Sequence, residues 1–309
     1  MEMITTMITP YRADGSVDYD TAERYVDWYY ENGLDGIFAV CQSSEIFYLT
    51  LEERVELNRR VYARAKALEA AGGRPFTVVS SGHVSDTLEG QAEELNAIYQ
   101  TGTDALILIT NRLDPHNEGD DVFIANCEKL IAQLPAEAKL GFYECPYPYK
   151  RLVTPKILDW CLSTGRFYYM KDTCCDAALI KERVEQLKGS HFKLLNANGQ
   201  TLLRSLRDGA DGYCGVMANF HPALYAWLGK NYQDPRADLV QGVLGTFCFT
   251  EGALPYPLSA KYHMTLCGIP TENIARSRSN TDLTQYAKDS LAQMKLVTDA
   301  LEQWVKEQN

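Results

Sequence analysis

The sequence predicts an α/β chain with one (β/α)8 TIM barrel and a C-terminal helical segment. Eight short apolar runs alternate with segments of helical pattern, and a short phrase built around glycine recurs where a helix gives way to the next run. Apolar runs without polar interruptions are typical of parallel strands covered on both faces, and eight strands close such a barrel. A doubly wound open sheet is the alternative, although no G-x-G-x-x-G follows the first run.

The eight runs are the predicted strands. They are residues 4–9, 36–40, 76–81, 105–110, 139–144, 167–172, 192–197 and 212–217. Each has the length of an ordinary strand, and each is followed by a longer segment in which a helix fits. The alternation of strand and helix therefore extends from the first run to the last.

The recurring phrase combines a glycine with an aspartate two residues later. It occurs at residues 32–36, 101–105 and 208–212, with a weaker copy at 164–166. Glycine adopts the left-handed conformation that ends a helix, and the residues after it turn the chain into a buried strand. Each copy therefore marks a junction between a helix and the following strand.

Helix starts are marked by N-cap residues. Asp20 and Thr50 are each followed three residues later by Glu, a spacing at which the two side chains satisfy free backbone N–H groups reciprocally. One face of a third helix is marked by apolar residues at helical spacing: Leu88, Ala92, Leu95 and Ile98.

After about residue 225 the strand pattern stops. An amphipathic stretch at 281–307 and a stretch broken by Pro255 and Pro257 predict a helical remainder. We therefore expect the barrel in residues 1–225. The C-terminal helical segment, residues 226–309, is expected to pack on the barrel or on a neighbouring subunit.

Composition excludes several classes of function. With 30 Lys and Arg against 41 Asp and Glu, the formal net charge of -11 repels nucleic acid. The sequence contains no apolar run long enough to span a membrane and no signal-like start, so we expect a cytoplasmic protein. Nine scattered cysteines without a C-x-x-C pair favour reduced thiols and no metal site.

Lys171 is the first candidate for catalysis. It follows the apolar residues 167–170, and in a barrel the polar residues late in a strand face the C-terminal end, where catalytic groups lie. A lysine at that depth loses hydration, which favours the neutral amine that attacks carbonyls. The alternative is a lysine that merely caps the strand or pairs with Asp172 or Glu144.

Tyr143 is the second candidate. It ends the apolar part of the fifth run, and a phenol near an ammonium or iminium moves protons. The alternative is a ring packed in the core with one satisfied hydroxyl. His83 and His116 follow the third and fourth runs and are interpreted as loop histidines rather than catalysts.

Together these positions resemble a known family, the Schiff-base aldolases that include dihydrodipicolinate synthase and N-acetylneuraminate lyase. The matching motifs occur in the family's order and extend from about residue 4 to the C-terminus: Thr9-Pro10, Tyr143-x-x-Pro146, Lys171-Asp172 and Gly212-x-x-Gly215-Val216-x-Ala218-Asn219.

The resemblance implies that Lys171 forms a Schiff base with pyruvate or another 2-oxo acid and that Tyr143 transfers protons. It implies no cofactor besides this covalent imine. It also implies small-molecule partners, namely a 2-oxo acid and an aldehyde or sugar acid, and a homotetramer built as a dimer of dimers. Cys214 and Gly215, in the eighth run, are expected among the substrate-binding residues.

The second run departs from the family pattern. The family has Gly-Thr-Thr-Gly-Glu there, which holds the carboxylate of the 2-oxo acid, whereas this chain has Cys-Gln-Ser-Ser-Glu at 41–45. We expect Gln42, Ser43 and Ser44 to bind substrate in an altered pocket, because a Cβ at positions 41 and 44 reduces the room for close backbone approach. The Gln42 amide still donates hydrogen bonds.

Three further departures bear on the second substrate. Pro148 stands where the synthase branch has an Arg for the second carboxylate, and the segment 109–114 lacks the tyrosine that a neighbouring subunit donates. Arg112, in that segment, is either a ligand for an acid group or a solvated loop residue. Asn196 and Asn198 suit a polyhydroxylated substrate, although Asn also makes turns.

The leading hypothesis is a lyase of the class I aldolase type that acts on pyruvate or a 2-oxo-3-deoxy sugar-acid-like substrate. A dehydratase of a 2-oxo-3-deoxy acid uses the same imine and is the near alternative. Dihydrodipicolinate synthase ranks lower because of Pro148. A barrel that binds a 2-oxo acid without turnover is the hypothesis from a different class.

Overall fold

A computed structural model of the protein describes residues 1–307. Eight parallel strands form a closed barrel in chain order, with the last strand paired to the first. The strands are β1 (Glu2–Thr6), β2 (Gly36–Phe38), β3 (Thr77–Ser80), β4 (Ala105–Ile109), β5 (Leu140–Tyr143), β6 (Phe167–Asp172), β7 (Lys193–Asn196) and β8 (Gly212–Gly215). The predicted (β/α)8 barrel is confirmed, and the open sheet is excluded.

Helices follow the strands and form the C-terminal segment. They are α1 (Tyr19–Glu31), α2 (Leu51–Ala70), α3 (Leu88–Gln100), α4 (Thr110–Leu113), α5 (Asp120–Ile131), α6 (Pro155–Thr164), α7 (Ala177–Leu187), α8 (Leu202–Arg207), α9 (Pro222–Asn231), α10 (Ala237–Ala253), α11 (Leu258–Leu266) and α12 (Gln285–Glu307). None of the helices in residues 1–307 combines the length and apolar character needed to cross a bilayer.

Seven of the eight predicted strands differ from the observed ones by one to three residues at an end, and one predicted helix start was wrong. The first strand covers residues 2–6, so the last three residues of the predicted run lie beyond it. Helix α1 begins two residues earlier than predicted, because the side chain of Asp18, not of Asp20, accepts the backbone N–H of Thr21 at 3.2 Å. The capping box of Thr50 and Glu53 at the start of α2 is confirmed.

The recurring phrase has a second physical role beyond ending the helix. Gly33, Gly102 and Gly209 have φ values of 87°, 97° and 105°, the left-handed region that favours glycine. The aspartate two residues later accepts a backbone N–H from a neighbouring strand: Asp35 from Met3 at 2.9 Å, Asp104 from Val78 at 2.8 Å, and Asp211 from Leu194 at 2.8 Å. The phrase therefore joins each incoming strand to an adjacent strand.

The barrel strands separate the apolar core into a cluster inside the barrel and two clusters between the strands and the helices. Side chains from the strands that point inward form a small cluster that includes Ile4, Phe38, Ile107 and Leu195, while two larger clusters lie between strands and helices. The ring of Tyr213 stacks on that of Tyr225 at 4.5 Å, which ties α9 to the barrel.

The C-terminal segment is helical, as predicted, with Pro255 and Pro257 between α10 and α11. The expected boundary between residues 225 and 226 falls within α9, and the division into two domains stays a prediction. Residues 308 and 309, part of the predicted segment, lie outside the described residues.

Candidate active site

A cavity of about 520 Å³ opens at the C-terminal ends of the barrel strands. Five of the residues predicted from the sequence line it: Lys171, Tyr143, Gln42, Ser43 and Asn198. The volume lies within the usual range for small-molecule sites and exceeds what a three-carbon acid needs. The barrel end at which catalytic groups are expected is therefore open to a ligand.

Lys171 and Tyr143 are register neighbours on adjacent strands. Their Cα positions pair across β5 and β6, so both side chains emerge at the same level of the barrel. The Nζ of Lys171 lies 4.1 Å from the centre of the Tyr143 ring and 5.8 Å from that of Phe38. Within residues 1–307 Lys171 makes no hydrogen bond or ion pair, and its exposed fraction is 7%.

The two carboxylates next to these residues have another partner. Arg183, from α7, lies 2.8 Å from Glu144 and forms an ion pair with Asp172 as well. Glu144 also accepts the backbone N–H groups of Val153 and Thr173, both at 2.8 Å. The interpretation of Lys171 as the partner of Glu144 or Asp172 is therefore wrong.

The ion network fixes the ends of β5 and β6 side by side. Burial raises the pKa of Glu144, and the charge of Arg183 opposes that rise. Residues that follow inward-facing ones on a strand point outward, so Glu144 and Asp172 meet the helix layer. The sequence signal for Arg183 was its place in the apolar stripe of α7, between the buried Ile180 and Leu187.

Tyr143 donates its hydroxyl hydrogen to the amide oxygen of Gln42 at 2.9 Å. The thiol of Cys145 points to the same oxygen at 3.5 Å, and the ring of Phe38 packs edge-on at 5.7 Å. Burial raises the pKa of Tyr143 well above its ordinary value, and the nearby Cys145 adds to that rise. The phenol is therefore held in its protonated form, which is the form that donates a proton.

The segment after β2 places its two serines differently. Residues Gln42–Ser44 form a single turn of 3-10 helix. Ser43 lines the cavity and donates to the hydroxyl of Thr6 at 3.0 Å. Ser44 is fully buried, with its hydroxyl at 2.7 Å from the carbonyl oxygen of Met7 and 2.8 Å from that of Ala39. Ser44 thus supports the backbone rather than lining the cavity.

The two predicted residues of β8 lie below the main cavity. Cys214 borders a small apolar void beneath Lys171, and burial raises the pKa of its thiol to about 12. Gly215 is buried, and a Cβ there would come within 2.3 Å of the Tyr213 hydroxyl. The structure therefore explains this glycine by packing, and neither residue lines the cavity.

The two asparagines of the seventh strand region have partners within the fold. Asn196 is fully buried, and its amide donates to the hydroxyls of Thr201 and Ser205, both at 3.0 Å. Asn198 lines the cavity but accepts the backbone N–H of Thr201 at 2.9 Å. The amide pair therefore gives little support to a polyhydroxylated substrate.

Several lining residues were missed by the sequence analysis. The missed polar residues include Lys150, Ser277 and Arg278, and the missed aromatic ones are Phe47, Tyr48 and Tyr256. Three of the six come from the C-terminal segment, which returns to the cavity from about a hundred residues beyond Lys171 along the chain. No local pattern in a single sequence marks such a long-range approach. Arg112 does not line the cavity; it pairs with Asp86 at 2.6 Å.

The comparisons with known proteins agree with this geometry. Residues 1–85 match the model of the dihydrodipicolinate synthetase family. A 4-hydroxy-tetrahydrodipicolinate synthase from Jannaschia sp. (strain CCS1) is 26% identical over 284 residues, which cover 87% of this chain and 88% of the relative.

Two solved structures have the same fold over almost the whole chain. One is YagE from E. coli K12, described as a prophage protein of the dihydrodipicolinic acid synthase family in complex with pyruvate. It is 20% identical with a TM-score of 0.82, covering 96% of this chain and 98% of its own. The other is CdNal from Clostridium difficile in complex with mannosamine, 13% identical with a TM-score of 0.80, covering 94% of this chain and 97% of its own.

Proposed function

We propose that this chain is a lyase of the class I aldolase type in the dihydrodipicolinate synthase and N-acetylneuraminate lyase family, and that Lys171 forms a Schiff base with a 2-oxo acid. The substrate class is pyruvate or a 2-oxo-3-deoxy sugar-acid-like compound. No cofactor takes part, because the protonated imine itself accepts the electron pair.

The observation that carries the proposal is the environment of the Lys171 amine. It is buried beside the Tyr143 ring and faces the cavity, while the carboxylates of Glu144 and Asp172 are held by Arg183. A carboxylate partner would favour the protonated ammonium, which has no lone pair with which to attack a carbonyl. The absence of such a partner among the described residues therefore favours the nucleophilic amine. YagE, a structure of the same fold, is in complex with pyruvate, which supports a 2-oxo acid as the ligand.

The proposed reaction starts with attack of the amine on the carbonyl carbon of the 2-oxo acid. The carbonyl oxygen takes up a proton from solvent and leaves as water, and an iminium forms. The adjacent carbon gives a proton back to solvent, which leaves an enamine whose electron pair forms the new bond to an aldehyde carbon. Tyr143 donates a proton to the aldehyde oxygen, and hydrolysis of the iminium restores the amine and returns a proton to the Tyr143 phenolate. Cleavage runs the same steps in reverse.

Borohydride trapping tests the proposal. Borohydride reduces the imine to a stable secondary amine, so the protein treated with pyruvate gains a covalent adduct on the peptide that contains Lys171. Lys171→Arg, which keeps the charge, is expected to gain none. An unlabelled Lys171 peptide in the parent, with Lys171→Arg as active as the parent, would contradict the proposal and favour a binding protein without turnover.

Product analysis separates the aldolase from the alternatives. An aldolase releases free pyruvate and an aldehyde, whereas a dehydratase of a 2-oxo-3-deoxy acid releases water and keeps the carbon chain intact. Dihydrodipicolinate synthase turnover is tested with aspartate semialdehyde, and rapid turnover there would show that Pro148 does not prevent binding of that substrate. Assembly into a homotetramer and a cytoplasmic location belong to the proposal as well.

A further inference from the structure

The cavity concentrates positive charge in an acidic protein. The formal net charge of the chain is -11, yet the cavity is lined by the three cations Lys150, Lys171 and Arg278. Its single lining carboxylate, Glu45, already binds the buried ammonium of Lys261 at 2.8 Å. The cationic side chains that remain for a ligand therefore outnumber the single carboxylate of a simple 2-oxo acid such as pyruvate.

The backbone next to Arg278 is held in place by hydrogen bonds to the side chain of Glu45. One carboxylate oxygen of Glu45 accepts the backbone N–H of Arg276 at 2.7 Å and both the backbone N–H and the hydroxyl of Ser277 at 2.8 Å. Because Glu45 is buried and ion-paired, this segment has a defined position at the edge of the cavity. The Arg278 side chain, which follows Ser277, therefore extends from a backbone that is held in one position.

The Arg278 and Lys150 side chains retain free capacity for a ligand. The only ion pair of Arg278 within residues 1–307 is with Asp282 at 3.6 Å, and both side chains are more than a third exposed, so the pair is weak. Lys150 is exposed and donates to the carbonyl oxygen of Thr173 at 2.7 Å, which leaves further ammonium hydrogens.

We propose that Arg278, together with Lys150, binds a second acid group of the substrate, so that the compound attached to Lys171 carries an acid group at both ends. This inference rests on the proposed Schiff-base function. A guanidinium binds a carboxylate or phosphate through two parallel hydrogen bonds, and an ammonium nearby adds charge. The arginine missing at position 148 is thereby replaced by one from the C-terminal segment.

Trapping with matched 2-oxo acids tests the inference. The probes are 2-oxoglutarate, 2-oxoadipate and 2-oxopimelate, each compared with the monoacid of the same chain length, and the half-saturating concentration for borohydride labelling is measured. For at least one length we expect the diacid to label at about tenfold lower concentration than the monoacid. Arg278→Gln is expected to abolish that preference, and Lys150→Gln to reduce it.

Arg204→Gln is the matched control, because Arg204 forms the same kind of exposed pair, with Asp208 at 3.8 Å, and does not line the cavity. Equal labelling by diacid and monoacid at every length, or an unchanged preference in Arg278→Gln, would overturn the inference. Failure of the proposed function looks different, since pyruvate then leaves no adduct on the parent protein.

Discussion

At the scale of single residues, the neighbours of Lys171 decide what its amine can do. Arg183 pairs with Glu144 and Asp172 on the helix side of the barrel wall, while the lysine faces an aromatic ring and the cavity. Arg183 is therefore a positioning residue that acts through the ends of β5 and β6.

Tyr143→Phe tests the proton transfer assigned to the phenol. The variant keeps the ring beside Lys171 but loses the proton, so we expect pyruvate labelling to persist while the rate of carbon–carbon bond formation falls by about 10²–10⁴-fold. Steady-state kinetics and peptide mapping measure the two effects. Tyr168→Phe is the control, because that tyrosine does not line the cavity and its ring packs at a tilt against His191, with the ring centres 4.4 Å apart. Unchanged turnover in Tyr143→Phe would remove the tyrosine from the mechanism.

Lys171 and Tyr143 could be predicted because a polar residue late in an apolar run faces one end of a barrel whatever its neighbours are. The placement of Ser44 and Asn196 could not, since each bonds groups that a single sequence does not bring together. Ser44 bonds the backbone just beyond the ends of β1 and β2, and Asn196 bonds the hydroxyls of Thr201 and Ser205. The catalytic and binding roles of all predicted site residues stay predictions.

At the scale of elements, the turn after β2 and the C-terminal segment are joined by one buried ion pair. Lys261, from α11, is fully buried and contacts Glu45 at 2.8 Å and the carbonyl oxygen of Ile274 at 2.6 Å. Burial lowers the pKa of Lys261 to about 8, and the charge of Glu45 opposes that change. The pair therefore orders the segment that presents Arg278.

Removing one partner of this pair is expected to be costly. Lys261→Met leaves a buried, uncompensated Glu45, and we expect the free energy of unfolding to fall by about 3–5 kcal/mol. The double variant Glu45→Gln/Lys261→Met is expected to recover most of that loss, because the Gln oxygen still accepts from Ser277. Urea unfolding followed by circular dichroism measures both.

Lys181→Met, at an exposed position of α7, is the matched control and should change the free energy of unfolding by less than about 0.5 kcal/mol. A Lys261→Met variant as stable as this control would show that the buried pair does not hold the C-terminal segment in place.

The elements themselves were largely predictable. Each of the eight apolar runs contains a strand or most of one, because a buried parallel strand needs an apolar residue at nearly every position. The ends were less predictable: the predicted cap was Asp20, whereas the N-cap of α1 is Asp18, two residues earlier. The capping carboxylate is selected by geometry that the sequence alone does not reveal.

At the scale of the whole molecule, the buried His83 makes the free energy of unfolding depend on pH. The Nε2 of His83 accepts the backbone N–H of Ile109 at 2.8 Å, and its Nδ1 lies 3.1 Å from the side-chain oxygen of Gln91. The ring is fully buried, and burial lowers the pKa of His83 from 6.5 to about 4. The sequence analysis interpreted His83 as a loop histidine, whereas its ring accepts a backbone N–H at the end of β4.

His83 therefore predicts a loss of stability at low pH. Between pH 6.5 and pH 4 the unfolded chain binds a proton on this histidine that the folded chain excludes. The contribution of the neutral His83 ring to the free energy of unfolding is therefore complete above pH 6.5, decreases as the pH falls from 6.5, and is lost once the pH has fallen through 4. The parent should lose about 3 kcal/mol more over this range than His83→Gln. Urea unfolding at each pH measures the difference, and parallel curves for the two proteins would contradict the assignment.

The central claim is that the Lys171 amine forms a covalent bond to a 2-oxo acid, and a crystal structure of the protein soaked with pyruvate tests it most directly. We predict continuous electron density between the Nζ of Lys171 and the second carbon of pyruvate, with the Tyr143 hydroxyl within hydrogen-bond distance of the adduct. Pyruvate bound elsewhere in the cavity, with Lys171 unlinked and turned away from it, would contradict the claim.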